Sequence, residues 1–319
     1  AERRLPQDGR VSLQMESGSV DLRMVTLPTT QGESIIIRIL DHGSGVLKID
    51  DLGFLPETRA RYEAAYKRPW GAVLVTGPTG SGKSTTLYAT LSEINDPNRA
   101  IVTVEDPVEY KLNGVKQVQV NRKAGLTFAN ALRSILRADP DVVLVGEIRD
   151  KETATIAVEA ALTGHMVLST LHTNDAASTP ARLLDMGVEP FLVTSSLSCI
   201  LAQRLIRRVC DKCREPYEPT EAELLGAGWD EVAAMVPEPT FFRAVGCGAC
   251  SKSGYRGRFA VHEVMPMSEE IAALVLKRGT SDEVRALAIK QGMIPLRHDG
   301  LRKVAEGRTT FDELCRVII

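Results

Sequence analysis

The stretch Gly77-Pro78-Thr79-Gly80-Ser81-Gly82-Lys83-Ser84 constrains the chain more than any other, because it satisfies the phosphate-binding pattern G-x-x-x-x-G-K-[ST] at every specified position. The residue types follow from the chemistry. Gly77, Gly80 and Gly82 let the backbone turn tightly, so that successive N–H groups face phosphate oxygens with no Cβ in the way. Lys83 adds a point charge for the outer phosphates, and Ser84 offers a hydroxyl to Mg²⁺. The context agrees: Ala72-Val73-Leu74-Val75-Thr76 reads as a buried strand running in, and Thr85 to Leu91 as a helix running out. The phosphates would sit on the positive end of that helix. Pro78, Thr79, Gly80, Ser81, Gly82, Lys83, Ser84 and Thr85 are therefore the expected nucleotide-binding residues. A loop that only turned the chain would need neither the lysine nor the serine.

Length and charge bound what surrounds this loop. A chain of 319 residues, 44% hydrophobic, can bury a sizeable core and holds two or three structural units. Its formal net charge of −2 argues against a general nucleic-acid binder, which ordinarily carries a basic excess. No run of about 18 apolar residues occurs, and Ala1 to Arg10 is polar, so neither a membrane span nor a signal peptide is expected. Ala1 in place of a methionine reads as the start of an excised piece.

Residues 1–40 read as β-rich. Val11 to Met15, Val20 to Val25 and Ser34 to Leu40 alternate as strands, with the turn-rich Pro28 to Glu33 before the third. Three strands make a poor core, so this is expected to be the end of a larger domain. Asp41 to Asp50, with Gly43, Ser44 and Gly45, reads as a linker. Arg23 and Arg38 fall within strands, where pattern alone makes each a solvated side chain.

From residue 51 to 205 the pattern predicts a doubly wound α/β domain, with strands and helices alternating from residue 71. Ile101 to Val104 is a buried strand that ends in Glu105, Asp106 and, after Pro107, Glu109. Thr127 caps a helix from Phe128 to Arg137, and Asp141 to Glu147 is a further apolar strand that ends in a carboxylate. Strand ends at one edge of a parallel sheet lie beside the phosphate loop. Glu105, Glu109 and Glu147 are thus candidates for two tasks, holding Mg²⁺ or its waters and orienting the attacking water. Gly146 stands where an ordinary Walker B strand would have Asp. A helix from Thr153 to Thr163 precedes His165 to Asn174, a strand whose polar end offers His172 as a γ-phosphate sensor; His165 begins it.

Residues 206–258 carry the second strong signal, Cys210-x-x-Cys213 and Cys247-x-x-Cys250, with Gly246, Gly248 and Gly254 around the second pair. Two such knuckles present four thiolates to one tetrahedral ion. Zinc is the expected ion, a rubredoxin-like iron the alternative, and a closed shell makes the site structural in a segment with little apolar sequence of its own. Cys199 and Cys315 fall in apolar helical patterns and read as core. Residues 259–319 read as mostly helical, with Ser281 capping Glu283 to Gln291, then Asp299 to Glu306 and Thr310 to Val317.

Together these motifs resemble one family, the secretion ATPases of type II secretion and type IV pilus assembly. The resemblance runs from Arg4-Leu5-Pro6-Gln7-Asp8-Gly9-Arg10 to Gly307-Arg308-Thr309-Thr310. It takes in the aspartate box Thr103-Val104-Glu105-Asp106-Pro107-Val108-Glu109-Tyr110, the atypical Walker B segment Gly146-Glu147-Ile148-Arg149-Asp150, and a histidine box with His165 and His172. It implies a RecA-like ATPase core behind a partial β-rich N-terminal domain, with a tetracysteine zinc-binding insertion and a helical C-terminal part. By this likeness Glu109 is the catalytic glutamate, Glu147 the Walker B residue near Mg²⁺, His172 a γ-phosphate contact, and Arg23 and Arg38 arginines that reach the triphosphate. It also implies a cytoplasmic homohexamer, peripheral at the inner membrane, that acts on an inner-membrane platform protein. A further N-terminal region, absent from this sequence, would dock to accessory membrane proteins.

The tetracysteine insertion resembles secretion and pilus-extension members; pilus-retraction relatives generally lack it. A DNA-translocating ATPase would share the loop and the sheet, but it should show a basic groove or stacking aromatics, and aromatic content is 5%. A non-hydrolysing scaffold would lack the acids.

Overall fold

The computed structural model describes residues 2–15, 18–41 and 47–318, which form two compact units, Ala1–Leu47 and Lys48–Ile319. In the first, β1 (Gln7–Met15), β2 (Gly18–Thr29) and β3 (Gly32–Asp41) make an antiparallel sheet in that order. Thr30 and Gln31 alone turn the second hairpin, so the segment Pro28 to Glu33 is mostly strand; the Thr29 hydroxyl closes the turn on Gly32 O at 2.7 Å. Alternation sends Ile35, Ile37 and Ile39 to one face, where they are 61%, 53% and 68% exposed. A face this apolar is what three strands without a second layer must show. Of the expected linker, Asp41 closes β3 and Asp50 lies in a 3₁₀ turn, Ile49–Leu52; Gly43, Ser44 and Gly45 fall outside the described residues.

The second unit is a three-layer α/β structure. After α1 (Pro56–Tyr66), β4 (Gly71–Thr76) leads into α2 (Lys83–Ile94). Then come β5 (Ile101–Glu105), β6 (Lys116–Gln119), α3 (Phe128–Ile135), β7 (Val142–Val145), α4 (Lys151–Leu162) and β8 (Met166–Leu171). Helices α5 (Ser178–Asp185) and α6 (Pro190–Ser196) precede the long β9 (Leu197–Val209). β10 (Arg214–Pro216), α7 (Glu221–Ala227) and β11 (Phe242–Ala244) lie between the cysteine pairs, and β12 (Tyr255–Pro266) returns to the main sheet. The chain closes with α8 (Glu269–Leu276), α9 (Ser281–Lys290), α10 (Leu296–Ala305) and α11 (Phe311–Ile318).

The sheet has the order β12-β9-β4-β8-β7-β5-β6, parallel except for β12, which runs antiparallel to β9. β4, β5, β7 and β8 are buried at every position, as strands covered on both faces must be.

That burial explains where pattern reading fails. Cys199 lies in β9 and not in a helix, because a strand buried on both faces gives an unbroken apolar run with no period to read. β12 runs to Pro266, so the mostly helical part expected from residue 259 begins at Glu269, and the boundaries drawn at 205 and 258 cut across β9 and β12, which pair along most of their length. The segment between the cysteine pairs also packs a core against α10 and α11: Trp229 meets Phe241 edge to face at 5.3 Å, and Phe241 stacks on Phe311 at 5.2 Å. Its apolar residues are too widely spaced to register as a pattern. Thr280, not Ser281, caps α9, because its hydroxyl and Glu283 form a reciprocal capping box.

Candidate functional site

The phosphate loop leaves β4 at Thr76 and enters α2 at Lys83. Gly80 and Gly82 take φ of +81° and +87°, which only glycine adopts without strain, and Gly82 is the residue from which the helix starts. Gly77 is required by space as well as by its φ of +146°: a Cβ there would lie 2.5 Å from Gln203 O and 2.6 Å from Ser81 Oγ. Lys83 Nζ donates to Gly77 O at 2.9 Å and Pro78 O at 3.0 Å. Burial lowers the Lys83 pKa, the Glu147 charge works to raise it, and Arg204 adds to the lowering. Ser84 is exposed at the first turn of α2. Ser81 is buried, its hydroxyl without a partner. A loop with open backbone, a lysine and a free serine at these places fits a triphosphate and its Mg²⁺.

Gln203, which pattern reading passed over, holds the loop from below. It is fully buried on β9; its Nε2 donates to Ser81 O at 2.6 Å, and its Oε1 accepts from the Thr86 hydroxyl at 2.8 Å. One amide thus ties the loop to the first turn of α2. The signal was present as a lone glutamine inside the apolar run from Leu197 to Ile206.

The three carboxylates occupy different surroundings. Glu147 follows β7, with its side chain 15% exposed; Arg149 pairs with it at 2.6 Å, and His172 Nε2 stands 3.7 Å from its other oxygen. Its backbone is strapped to β8: Thr170 Oγ1 donates to Gly146 O at 2.8 Å, and Ile148 N to Thr170 O at 3.0 Å. Gly146 is explained by β5, since a Cβ there would lie 3.3 Å from Glu105 Cα and from Val104 O. A side chain at this position would be crowded against the β5 backbone.

Glu105 is buried at the end of β5 and is already engaged. It accepts from the Tyr88 hydroxyl, from Thr103 Oγ1 at 2.5 Å and from Gln117 Nε2 at 3.2 Å. The same Tyr88 oxygen accepts from Glu109 N at 3.1 Å, so a phenol on α2 joins Glu105 to the backbone of Glu109, whose side chain is half-buried. His172 follows the end of β8, the strand next to β4, at the same sheet edge as the phosphate loop. His165 lies at the opposite edge, its Nδ1 3.0 Å from Ala160 O, where it closes the turn after α4. Arg23 and Arg38 belong to the first unit, directly opposite one another on β2 and β3, with no ion pair among the described residues.

The four cysteines of the second motif converge. Their Sγ atoms all lie within 4.8 Å of one another, with Cys210–Cys247 at 4.0 Å, Cys213–Cys250 at 3.8 Å and Cys247–Cys250 at 3.9 Å. A tetrahedral ion with metal–sulfur bonds of about 2.3 Å needs sulfurs roughly 3.8 Å apart. Backbone N–H groups of Gly246, Cys247 and Gly254 point at Cys213 and Cys250 from 3.1 to 3.3 Å. The Cys247 N–H, above all, pulls the Cys250 thiol down to about 6. The donors favour the thiolate at Cys250, burial pushes the Cys213 thiol up to about 12, and the spacing of the four sulfurs fits a closed tetrahedral metal. Cys199, fully buried in β9, is pushed up to about 12 by that burial and stands apart from it.

A parallel sheet with a phosphate loop, a strand-end glutamate and a histidine at one edge defines a P-loop nucleotide-binding protein of the RecA-like α/β class. Over residues 1–316 the chain matches the type II/IV secretion system protein family, and it belongs to that family. It is 50% identical over 99% of its length to type II secretion system protein E of Pseudomonas aeruginosa. It is also 50% identical over 98% of its length to the type IV pilus assembly ATPase PilB of Myxococcus xanthus. The chain spans 62% and 56% of the length of those two relatives. Among solved structures it resembles the pilus retraction motor PilT with bound ADP, at a TM-score of 0.62 and 26% identity, over 93% of this chain and 77% of that one.

Proposed function

We propose that this chain is the ATP-hydrolysing core of a hexameric motor that drives type II protein secretion or type IV pilus assembly through an inner-membrane platform protein, from the cytoplasmic side. The observation that carries the reading is the gathering of Lys83, Glu147 and His172 at the sheet edge that bears the phosphate loop. The reaction is attack of water on the γ-phosphorus of ATP, giving ADP and phosphate. Lys83 and the backbone of Pro78 to Thr85 hold the phosphates, and His172 touches the γ-phosphate. Ser84 and Glu147, directly or through water, would hold Mg²⁺, which when bound offsets the charge of the outer phosphates. Glu109 orients the attacking water and takes its proton. Glu105, with three donors already on its carboxylate, is assigned to holding that segment in place and not to proton transfer. Arg23 and Arg38 supply further positive charge to the triphosphate. Cys210, Cys213, Cys247 and Cys250 hold one structural zinc.

The test is turnover in assembled hexamers. Lys83→Ala should abolish hydrolysis together with nucleotide affinity. Glu109→Gln should keep MgATP binding while turnover falls by about 10² or more, the range expected for loss of a positioned base. Parental turnover in Glu109→Gln would move the role to Glu147. Arg23→Ala and Arg38→Ala should reduce turnover more than ADP affinity.

A further inference from the structure

The loop from His172 to Ala177, between β8 and α5, is gripped from two sides by groups that neither the motifs nor the proposed chemistry account for. On one side is Arg204 of β9. Its Nη2 donates to Asn174 O at 2.8 Å, and its Nη1 to Gln203 O at 3.2 Å. β4 lies between β9 and β8 in the sheet, and Thr76, its last residue, is in register with Ala202 on one side and Leu171 on the other. The Arg204 side chain therefore crosses the end of β4 just where the chain enters the phosphate loop. It is half-buried, and no carboxylate lies within ion-pair distance of it among the described residues. The guanidinium is held by two main-chain carbonyls and the Asn174 side chain, while burial lowers its pKa and the charges of Asp175 and Glu263, beyond ion-pair distance, oppose that lowering.

On the other side the loop is tied to the C-terminal helices. Asp175 accepts from Arg285 of α9 at 2.6 Å and from Ser178 N at 2.8 Å. Ala176 N donates to the buried Glu263 of β12 at 2.8 Å, and the second oxygen of Glu263 accepts from Leu296 N, the first residue of α10, at 3.3 Å. The segment that begins with His172, 3.7 Å from Glu147, is thus fastened three residues later to α9 and four residues later to β12 and, through Glu263, to α10. Both guanidiniums bear on Asp175, Arg285 through the ion pair and Arg204 through its charge.

We infer that Arg204 and Arg285 are positioning residues for hydrolysis: from opposite sides they set the loop of residues 172–177, and through it α9 and α10 read the occupancy of the phosphate site. The inference rests on the ATPase reading above. A phosphate that engages His172 shifts a loop whose far end is an ion pair to α9, so the two arginines act on one element. A plain structural strap would act otherwise: loss of either arginine would lower stability and impair all nucleotide binding alike.

The test uses the full chain in its assembled form, with Arg204→Met, Arg204→Lys, Arg285→Met and the double Met variant. ATP turnover and ADP affinity are measured for each. Misplacing a catalytic group by about 1 Å can cost up to 10² in rate, so each Met variant should lose about tenfold or more in kcat while ADP affinity stays within about twofold. Arg204→Lys should recover part of the loss. The double variant should fall no more than about twofold below the worse single one, because independent sites would instead multiply their effects. Should Arg285→Met fail to fold, Asp175→Asn breaks the same ion pair from the loop side and should give the same phenotype. Parental kcat in either Met variant, ADP affinity falling in step with kcat, or losses that multiply would overturn the inference. A parent chain that does not hydrolyse ATP, or a Lys83→Ala variant as active as its parent, would overturn the ATPase reading itself, and so the two failures are told apart.

Discussion

Replacing Gln203 by leucine should cripple nucleotide binding without touching any residue of the phosphate loop. The side chain is fully buried, and leucine conserves most of its volume, so the effect comes from hydrogen bonds and not from a cavity. Two are lost: the 2.6 Å bond to Ser81 O and the 2.8 Å bond from the Thr86 hydroxyl. A buried polar group left without its partner costs about 1–3 kcal/mol, so the pair is worth roughly 2–6 kcal/mol to the folded loop. Part of this appears as lower stability. The Ser81 carbonyl bears on binding, because the loop can relax to hydrate it and ADP must then restore the ordered form. A penalty of about 1–3 kcal/mol corresponds to an affinity loss of roughly 5- to 150-fold. Calorimetric titration with ADP, beside thermal unfolding of the free chain, measures both parts. Gln203→Glu should be at least as severe, since it turns an acceptor toward a carbonyl oxygen and brings negative charge beneath the phosphates. A Gln203→Leu protein that binds ADP within twofold of its parent and unfolds at the same temperature would refute the argument that this amide shapes the loop.

Two further outcomes follow from the second unit. Elemental analysis should find about one zinc per chain, lost in Cys210→Ser, with nucleotide binding retained in part when the metal is stripped; absence of zinc, or iron in its place, would contradict the assignment. In acid, Glu313 matters. Its carboxylate is buried, which opposes ionisation, but hydrogen bonds from Arg316 and Arg207 outweigh that and hold its pKa at about 2 against an ordinary 4.5. A depressed carboxyl contributes in full above the ordinary value and loses its contribution as the pH falls through the depressed one. The stability gap between the parent and Glu313→Gln should therefore be constant near neutrality and shrink from pH 4.5 toward about 2; a gap unchanged across that window would show that the ion pairs contribute nothing.

Most of the site could be read from the sequence because its parts are local. The phosphate loop is a run of eight residues whose spacing alone dictates its conformation, and each cysteine pair is a knuckle complete in four. Glu147 and His172 were legible because each follows an apolar run that ends at the same sheet edge. What remained hidden is contributed across the sheet. Gln203 and Arg204 belong to β9, far along the chain, and reach the loop only because β9 pairs with β4. β9 itself was obscured by burial on both faces, and β12 by its junction with the cysteine segment. Gly146 is the instructive case: its identity was visible as a departure from pattern, but its reason, the close approach of β5, exists only in three dimensions.

Sheet order also separates the surroundings of the three glutamates. β4 is followed by β8, β7 and then β5, so with strands about 4.8 Å apart the end of β7 lies roughly 10 Å from β4 and the end of β5 roughly 14 Å. A lysine side chain spans about half the larger distance. Glu105, fixed at the end of β5 and enclosed by Tyr88, Thr103 and Gln117, is too far away and too fully bonded to meet a phosphate held by Lys83. Glu147 is closer, and it is the one whose charge bears on Lys83. Glu109 stands four residues beyond the strand end, on a segment held by Tyr88 at Glu109 N, by Gln119 at Val108 N and by Gln117 at Tyr110 O. Lys83 and Tyr88 are carried by the same helix, Lys83 as the first residue of α2 and Tyr88 little more than a turn later. The lysine of the phosphate loop and the phenol bonded to the Glu109 backbone are thereby carried by one helix. A displacement of α2 would move both together and keep their spacing.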